Sequence, residues 1–167
     1  SCTYTYLIGD ERTREAVLID PVLSERDGYL RLLNELGLTL VRVLETHIHA
    51  DHITAAGALR TATGCQTLLG EPTLSTCVSA TFREGDRIPV GGLELVALYT
   101  PGHTDDSYCF RLETPGRRLL FLPRLASNNT YDNGGLRSGR SYLVQLIGGS
   151  GANTVLRNRA GKPLVAL

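Results

Sequence analysis

All four histidines of the chain fall in two short segments, Thr46-His-Ile-His-Ala-Asp-His52 and Thr100-Pro-Gly-His-Thr104. Each segment follows an expected strand, so any fold for this sequence has to carry both histidine loops at strand ends. In an extended segment residues i and i+2 point the same way, which lets His47 and His49 offer two imidazoles to one ion. Asp51 and His52 come where the chain turns into the next helix and face a neighbouring position. His103 follows Pro101-Gly102, where glycine permits a tight turn and close backbone approach. Neutral imidazole and carboxylate donors suit zinc, iron or manganese. Taken singly, each histidine would be an ordinary polar residue at a strand end or turn. Taken together they point to a metal centre.

The elements around these loops alternate. Thr3–Gly9 and Glu15–Asp20 read as a strand hairpin, the second strand stopped by Pro21. Ser24–Leu36 has apolar residues at helical spacing, with Ser24 as an expected N-cap and Gly37 as a stop. Leu38–Thr46 is a mostly apolar strand and Ile53–Thr63 an Ala-rich helix. Gln66–Leu69, Asp86–Pro89, Leu93–Tyr99, Tyr108–Leu112 and Arg118–Leu122 complete the strands, with a hairpin turn at Gly91-Gly92. The order predicts an α/β layered domain with more hairpins than a Rossmann fold.

A length of 167 residues suits one domain, and 42% apolar content can build a core. Acids and bases balance at 17 each, which argues against a nucleic-acid or anionic-membrane binder. No apolar run reaches the roughly 20 residues of a membrane span, and no secretory signal opens the chain. The chain has no Met, so Ser1 reads as a processed or trimmed end. Cys2, Cys65, Cys77 and Cys109 form no CxxC pair and read as reduced, mostly buried thiols, with two disulfides as the alternative. Cys109 reads as a small buried strand residue. The charge is uneven along the chain. Residues 1–114 hold 16 acids and nine bases, and residues 115–167 one acid and eight bases. Five of the six Asn also lie in that tail. The division expected is a core over 1–122 and a divergent Gly/Asn/Arg-rich segment of the same domain over 123–167.

The run Thr46–His52 with Gly57 resembles the THxHxDHxxG signature of the metallo-β-lactamase superfamily, and Thr100–Thr104 resembles its TPGHT loop. Tyr4–Gly9, Glu15–Pro21, Leu36–Leu38, Thr46–Thr54, Gly64–Gln66 and Glu84–Asp86 are similar to the persulfide (sulfur) dioxygenases within it. The resemblance runs from residue 3 to about 122. It implies an αββα sandwich, here with an incomplete second half, a metal at the strand ends and a glutathione-linked substrate. It implies one Fe(II) per chain held by His47, His103 and a later Asp, in a 2-His-1-carboxylate arrangement with open positions. His49, Asp51 and His52 are then near neighbours that orient ligands and water. In the hydrolase branch they bind the metal directly, Zn(II) being the alternative ion. Thr46 and Thr104 are expected supports. Asp20 reads either as a buried acid under the metal loop or as the Asp of an Asp-Pro turn.

The carboxylate turn departs from the pattern. Phe121-Leu-Pro-Arg124 stands where the family has Phe-Thr-Gly-Asp, and no His follows His103. Arg137 and Arg140 in Leu136-Arg-Ser-Gly-Arg140 are weak candidates for holding glutathione. The tail is either an altered or truncated second half, a frame shift being one source, or another residue has taken over the third ligand position. Three functions are expected from this reading. The first is a persulfide dioxygenase converting glutathione persulfide and O₂ to sulfite and glutathione. The second is a zinc thioester hydrolase of the hydroxyacylglutathione type, with Asp51 orienting the water. The third is a metal-binding but catalytically impaired relative. The expected location is the cytoplasm, or the mitochondrial matrix in a eukaryote, with neither nucleic acid nor membrane as partner. A homodimer is left open.

Overall fold

The computed structural model describes residues 4–73, 75–102, 104–114, 117–122 and 141–143. They form two facing five-stranded sheets. The first contains β1 (Tyr6–Gly9), β2 (Glu15–Ile19), β3 (Thr39–Leu44), β4 (Gln66–Gly70) and β5 (Ala80–Phe82), in that order. Only the β1–β2 hairpin is antiparallel; β2 through β5 run parallel. Helices α1 (Arg26–Glu35) and α2 (Ala56–Thr63) make the β2–β3 and β3–β4 crossovers. The second sheet contains β6 (Arg87–Val90), β7 (Leu93–Tyr99), β8 (Tyr108–Thr114) and β9 (Arg117–Phe121) as an antiparallel meander. A short β10 (Ser141–Leu143) adds to β9 in parallel.

Alternation along β2 shows how the layers are built. Ala16 and Leu18 face α1 and α2, where they join Tyr29, Leu33, Ala56 and Leu59 in one buried cluster. Val17 and Ile19 face the other way, into the larger cluster between the sheets with Leu44, Leu95, Phe110 and Phe121. The two helices therefore cover one face of the first sheet and the second sheet covers its other face. This is the α, β and β layering of the expected sandwich, and its second helical layer is not among the described residues. No helix among the described residues is long and apolar enough to cross a membrane.

Local signals in the sequence place most elements to within two or three residues. Ser24 is the exception among the caps. The first turn, Leu23–Glu25, is a 3₁₀ turn, α1 starts only at Arg26, and its N-cap Glu25 makes no side-chain cap hydrogen bond. The 3₁₀ turn is held instead by the Glu25 amide donating to the Val22 carbonyl at 3.1 Å. Gly37 does end α1, with φ +61°, and the Leu38 amide closes back on the Leu33 carbonyl at 2.8 Å. Strands β5 and β10 were not legible. Each has three residues, too few to show alternation. The expected thiols are found where the chain is described: Cys65 and Cys109 are buried, Cys77 is exposed, and all three are free. Burial pushes the Cys109 thiol up, which keeps it protonated.

At the end of the sandwich where β1 turns into β2, a polar latch joins the two sheets. Asp10 accepts the Gly92 amide at 2.5 Å, the Arg12 amide at 2.9 Å and the Thr13 hydroxyl at 2.9 Å. Glu15 accepts the Gly91 amide at 2.8 Å. These donors, the Gly92 amide first, hold the Asp10 carboxyl down at about 2. A depressed carboxyl stabilises the fold above its ordinary value near 4 and loses that contribution as pH falls through the folded value. The stability gap between wild type and Asp10→Asn should therefore be full at pH 6 and close toward pH 2 in urea unfolding; a gap independent of pH would show that the carboxylate does not join the hairpins. Gly91 has φ +60°, and a Cβ there would run into Thr13 Oγ1 and Asp10 Oδ2. Gly91→Ala should destabilise by ~1–3 kcal/mol in the same measurement.

Candidate metal centre

Ile19 and Leu44 are paired neighbours on parallel strands, so the chain leaves β2 and β3 at the same edge, side by side. Asp20 leaves β2 in the left-handed region with φ +52°, a conformation that costs a non-glycine residue about 1–2 kcal/mol. Its amide is tied to the Leu44 carbonyl at 3.0 Å, and the residue is 1% exposed. The turn aims its carboxylate at the start of the histidine loop. Oδ1 accepts the Thr46 amide at 2.7 Å and Oδ2 accepts the Thr46 hydroxyl at 2.8 Å. Asp20 is thus the buried support of the loop.

The protonation of His47 follows from counting hydrogens. The single Thr46 hydroxyl hydrogen goes to Asp20, so the 2.8 Å contact between Thr46 Oγ1 and His47 Nδ1 must be donated by the ring. Nδ1 therefore carries a proton, which leaves Nε2 as the nitrogen turned away from Thr46. His49 is held by its other nitrogen. Its Nε2 lies 3.1 Å from Asp20 Oδ1 and 3.2 Å from Glu45 Oε2, and its Nδ1 lies 3.9 Å from Asp51 Oδ1. Burial disfavours charge on this ring, but the two buried acids beside Nε2 outweigh it and raise His49 to about 10. Burial likewise pushes Glu45 up to about 7. His52 Nδ1 sits 3.0 Å from Asp51 Oδ1. The ring centroids of His47 and His49, and of His49 and His52, are 4.2 Å apart. One donor atom each from His49, Asp51 and His52 falls within 4.8 Å of the others.

The loop is not the extended segment that the i, i+2 argument assumes. It bends at Thr46 and His47, and the two rings come together through opposite nitrogens. A second loop is fastened against it. The Tyr108 amide donates to the Thr46 carbonyl at 2.8 Å, and Asp106 Oδ2 accepts the Ile48 amide at 2.8 Å. These bonds bring the 100–107 segment beside the histidines, while His103 itself lies outside the described residues. The Thr104 hydroxyl meets Ser107 Oγ at 2.7 Å, inside its own loop. Arg124, Arg137 and Arg140 also lie outside the described residues. Two participants, Glu45 and Asp106, are not predicted by the sequence. Glu45 had a signal: it stands four residues before His49, an acid ending an otherwise apolar strand. Asp106 had none, because its partner is a backbone amide 58 residues away.

The donor chemistry fits a divalent metal. His47 presents Nε2 and His49 Nδ1, while the other nitrogen of each ring is engaged by Thr46 or by carboxylates, the arrangement that fixes ring orientation in metal sites. Residues 3–76, which contain this loop and Asp20, match the metallo-beta-lactamase superfamily. The nearer likeness is to persulfide dioxygenases. The chain is 45% identical over 113 residues to the mitochondrial persulfide dioxygenase ETHE1 of Mus musculus, covering 67% of this chain and 44% of that protein. It is 50% identical to the crystal structure of ETHE1 from Myxococcus xanthus, with a TM-score of 0.64, covering 71% of this chain and 52% of that one. Hydroxyacylglutathione hydrolase of Rhodospirillum rubrum is 35% identical over 106 residues, covering 62% of this chain and 41% of that protein. The chain spans about half the length of the relatives it matches.

Asp20→Ala removes the acceptor for two Thr46 donors and one face of His49. It should destabilise the metal-free protein by ~3–5 kcal/mol, as when one partner of a buried charged pair is lost, and should weaken metal uptake about 10–100-fold. Chemical unfolding and equilibrium dialysis against Zn(II) measure the two effects separately; unchanged uptake would mean that the carboxylate does not set the loop.

Proposed function

We propose that this chain is the metal-holding part of a persulfide dioxygenase that uses one Fe(II). The observation that carries this is the identity of 45% to 50% with persulfide dioxygenases across the segment that builds the histidine cluster. His47 Nε2, His49 Nδ1 and the Asp51 and His52 side chains would be donors among the described residues, with His103 the expected donor from the second loop. Iron, when bound, would pass electrons from the persulfide sulfur to dioxygen. The overall conversion balances as glutathione persulfide, dioxygen and water giving glutathione and sulfurous acid. The residues of this chain hold and orient the centre. Thr46 fixes the His47 tautomer, and Asp20 with Glu45 keeps His49 turned with Nδ1 outward. Because His49 must give up a proton to the metal if it binds through Nδ1 with Nε2 protonated, uptake should release protons and weaken on acidification. The substrate is a glutathione-linked persulfide, and the compartment is the cytoplasm, or the mitochondrial matrix in a eukaryote.

A second reading is supported by the 35% identity to a hydroxyacylglutathione hydrolase. In it Zn(II) lowers the pKa of a bound water to ~7, and Asp51, 55% exposed at the edge of the cluster, orients the attack on a thioester. One experiment separates the two. The purified chain is analysed for metal after anaerobic Fe(II) loading, and oxygen uptake is followed with glutathione persulfide. About one iron per chain with uptake is expected, and His47→Ala should abolish both. Zinc retained without oxygen uptake, together with thioester turnover, would replace the dioxygenase reading by the hydrolase. Metal bound with neither activity would leave the third reading, an impaired relative whose missing Thr-Gly-Asp turn has removed turnover.

A further inference from the structure

The corner Asp20-Pro21-Val22 touches both ends of the histidine loop. At the start, the Asp20 carboxylate holds the Thr46 amide and hydroxyl. At the end, the Pro21 carbonyl accepts the Ala55 amide at 2.7 Å and the Thr54 hydroxyl at 3.2 Å. The Leu23 amide donates to the Ile53 carbonyl at 2.9 Å, and Val22 and Thr54 form a β-bridge. A loop pinned at 46 and at 53–55 to one corner takes its shape from that corner.

The corner in turn is held from behind by two side chains, Thr5 and Tyr29. The Thr5 hydroxyl donates to the Asp20 carbonyl at 2.8 Å. The Val22 amide donates to the Tyr29 hydroxyl at 3.1 Å. Tyr29 OH and Thr5 Oγ1 are 3.0 Å apart. The Thr5 hydrogen is already spent on Asp20, so Tyr29 must donate to Thr5. The chain of donors therefore runs one way, from the Val22 amide through Tyr29 and Thr5 to the Asp20 carbonyl. It spans the peptide groups on both sides of Pro21, the segment where Asp20 takes its left-handed φ. Thr5 is 1% exposed and Tyr29 4%, so water does not offer replacement partners. Burial raises the Tyr29 hydroxyl above its ordinary value, which keeps its hydrogen in place.

We infer that Tyr29 and Thr5 are positioning residues of the metal centre, acting through the Asp20-Pro21-Val22 corner on both ends of the histidine loop. The inference rests on reading that loop as metal-holding. Without the Tyr29 hydroxyl, the Asp20 carbonyl and Val22 amide lose their common clamp and the corner relaxes. The Asp20 carboxylate then shifts against Thr46 and His49. The ring of Tyr29 still fills its place between α1 and the first sheet, so the fold survives.

The test uses Co(II) as the probe on the full chain. Dissociation constants come from competition with a chromophoric chelator, the ligand field from the visible spectrum, and fold from circular dichroism of the metal-free proteins. Tyr29→Phe and Thr5→Val should fold and bind Co(II) about 10-fold more weakly or worse, with shifted visible bands. Thr5→Ser, which keeps the hydroxyl, should return affinity and spectrum toward wild type. If the variants melt earlier but bind Co(II) with wild-type affinity and spectrum, the two residues are merely structural and the inference is overturned. It is equally overturned if Thr5→Ser behaves as Thr5→Val. A wild-type chain that takes up no Co(II) would instead overturn the metal reading of the loop, and this inference with it.

Discussion

A buried carboxylate at a strained strand end organises this molecule. Asp20 is 1% exposed and accepts from Thr46 twice, yet it also lies 3.1 Å from His49. Such a group is costly to bury unless each of its lone pairs finds a donor. The donors it meets at that depth are the first residues of the histidine loop, so satisfying Asp20 and shaping the loop are one event. The left-handed φ at Asp20 is the local strain that this event sustains. It persists because the Leu44 carbonyl, Thr5 and the Thr46 donors all fix the residue from different sides.

The two-sheet architecture explains why the loop sits at the edge of the sandwich. Parallel strands β2 and β3 bring Asp20 and Glu45-Thr46 to one edge without any long-range specificity beyond strand pairing. The second sheet then delivers its own loop to the same edge, since Tyr108 opens β8 and its amide bonds the Thr46 carbonyl. The opposite end is closed by Asp10 and Glu15 gripping the Gly91-Gly92 turn. Both ends are thus knit by carboxylates on backbone amides, and only the histidine end adds carboxylates facing imidazoles. That difference separates the structural end from the end that can hold a metal.

Much of this was legible in the sequence, for identifiable reasons. HxHxDH and the downstream Gly-His are local patterns, and the strands before them are apolar runs bounded by turn residues. Asp20 was readable only as a choice between a support and an Asp-Pro turn, because its role depends on Thr46, which is distant in sequence and adjacent in space. Glu45, Asp106, Thr5 and Tyr29 do not stand out as site residues in the sequence. Tyr29 has the helical spacing of a core residue and is one; nothing in that spacing reveals that its hydroxyl is the middle of a hydrogen-bond chain. The cap at Ser24 failed because the first turn is 3₁₀, stabilised by backbone bonds at the Val22 corner rather than by a side chain.

The histidine loop also corrects a common shortcut about paired ligands. The i, i+2 argument assumes two equivalent rings pointing one way from an extended chain. Here the backbone bends at Thr46 and His47, and the rings approach to 4.2 Å with different nitrogens committed to the protein. His47 spends Nδ1 on a threonine hydroxyl, a neutral and weak partner, while His49 spends Nε2 on two buried acids. The two rings therefore differ in basicity as well as position. A carboxylate behind an imidazole makes it a stronger donor than a hydroxyl does, so His49 would be the more electron-rich ligand if both rings bound a metal. The asymmetry would give a bound metal one firmer attachment to the protein than the other. It is set by Asp20 and Glu45, residues that themselves never need to meet the metal.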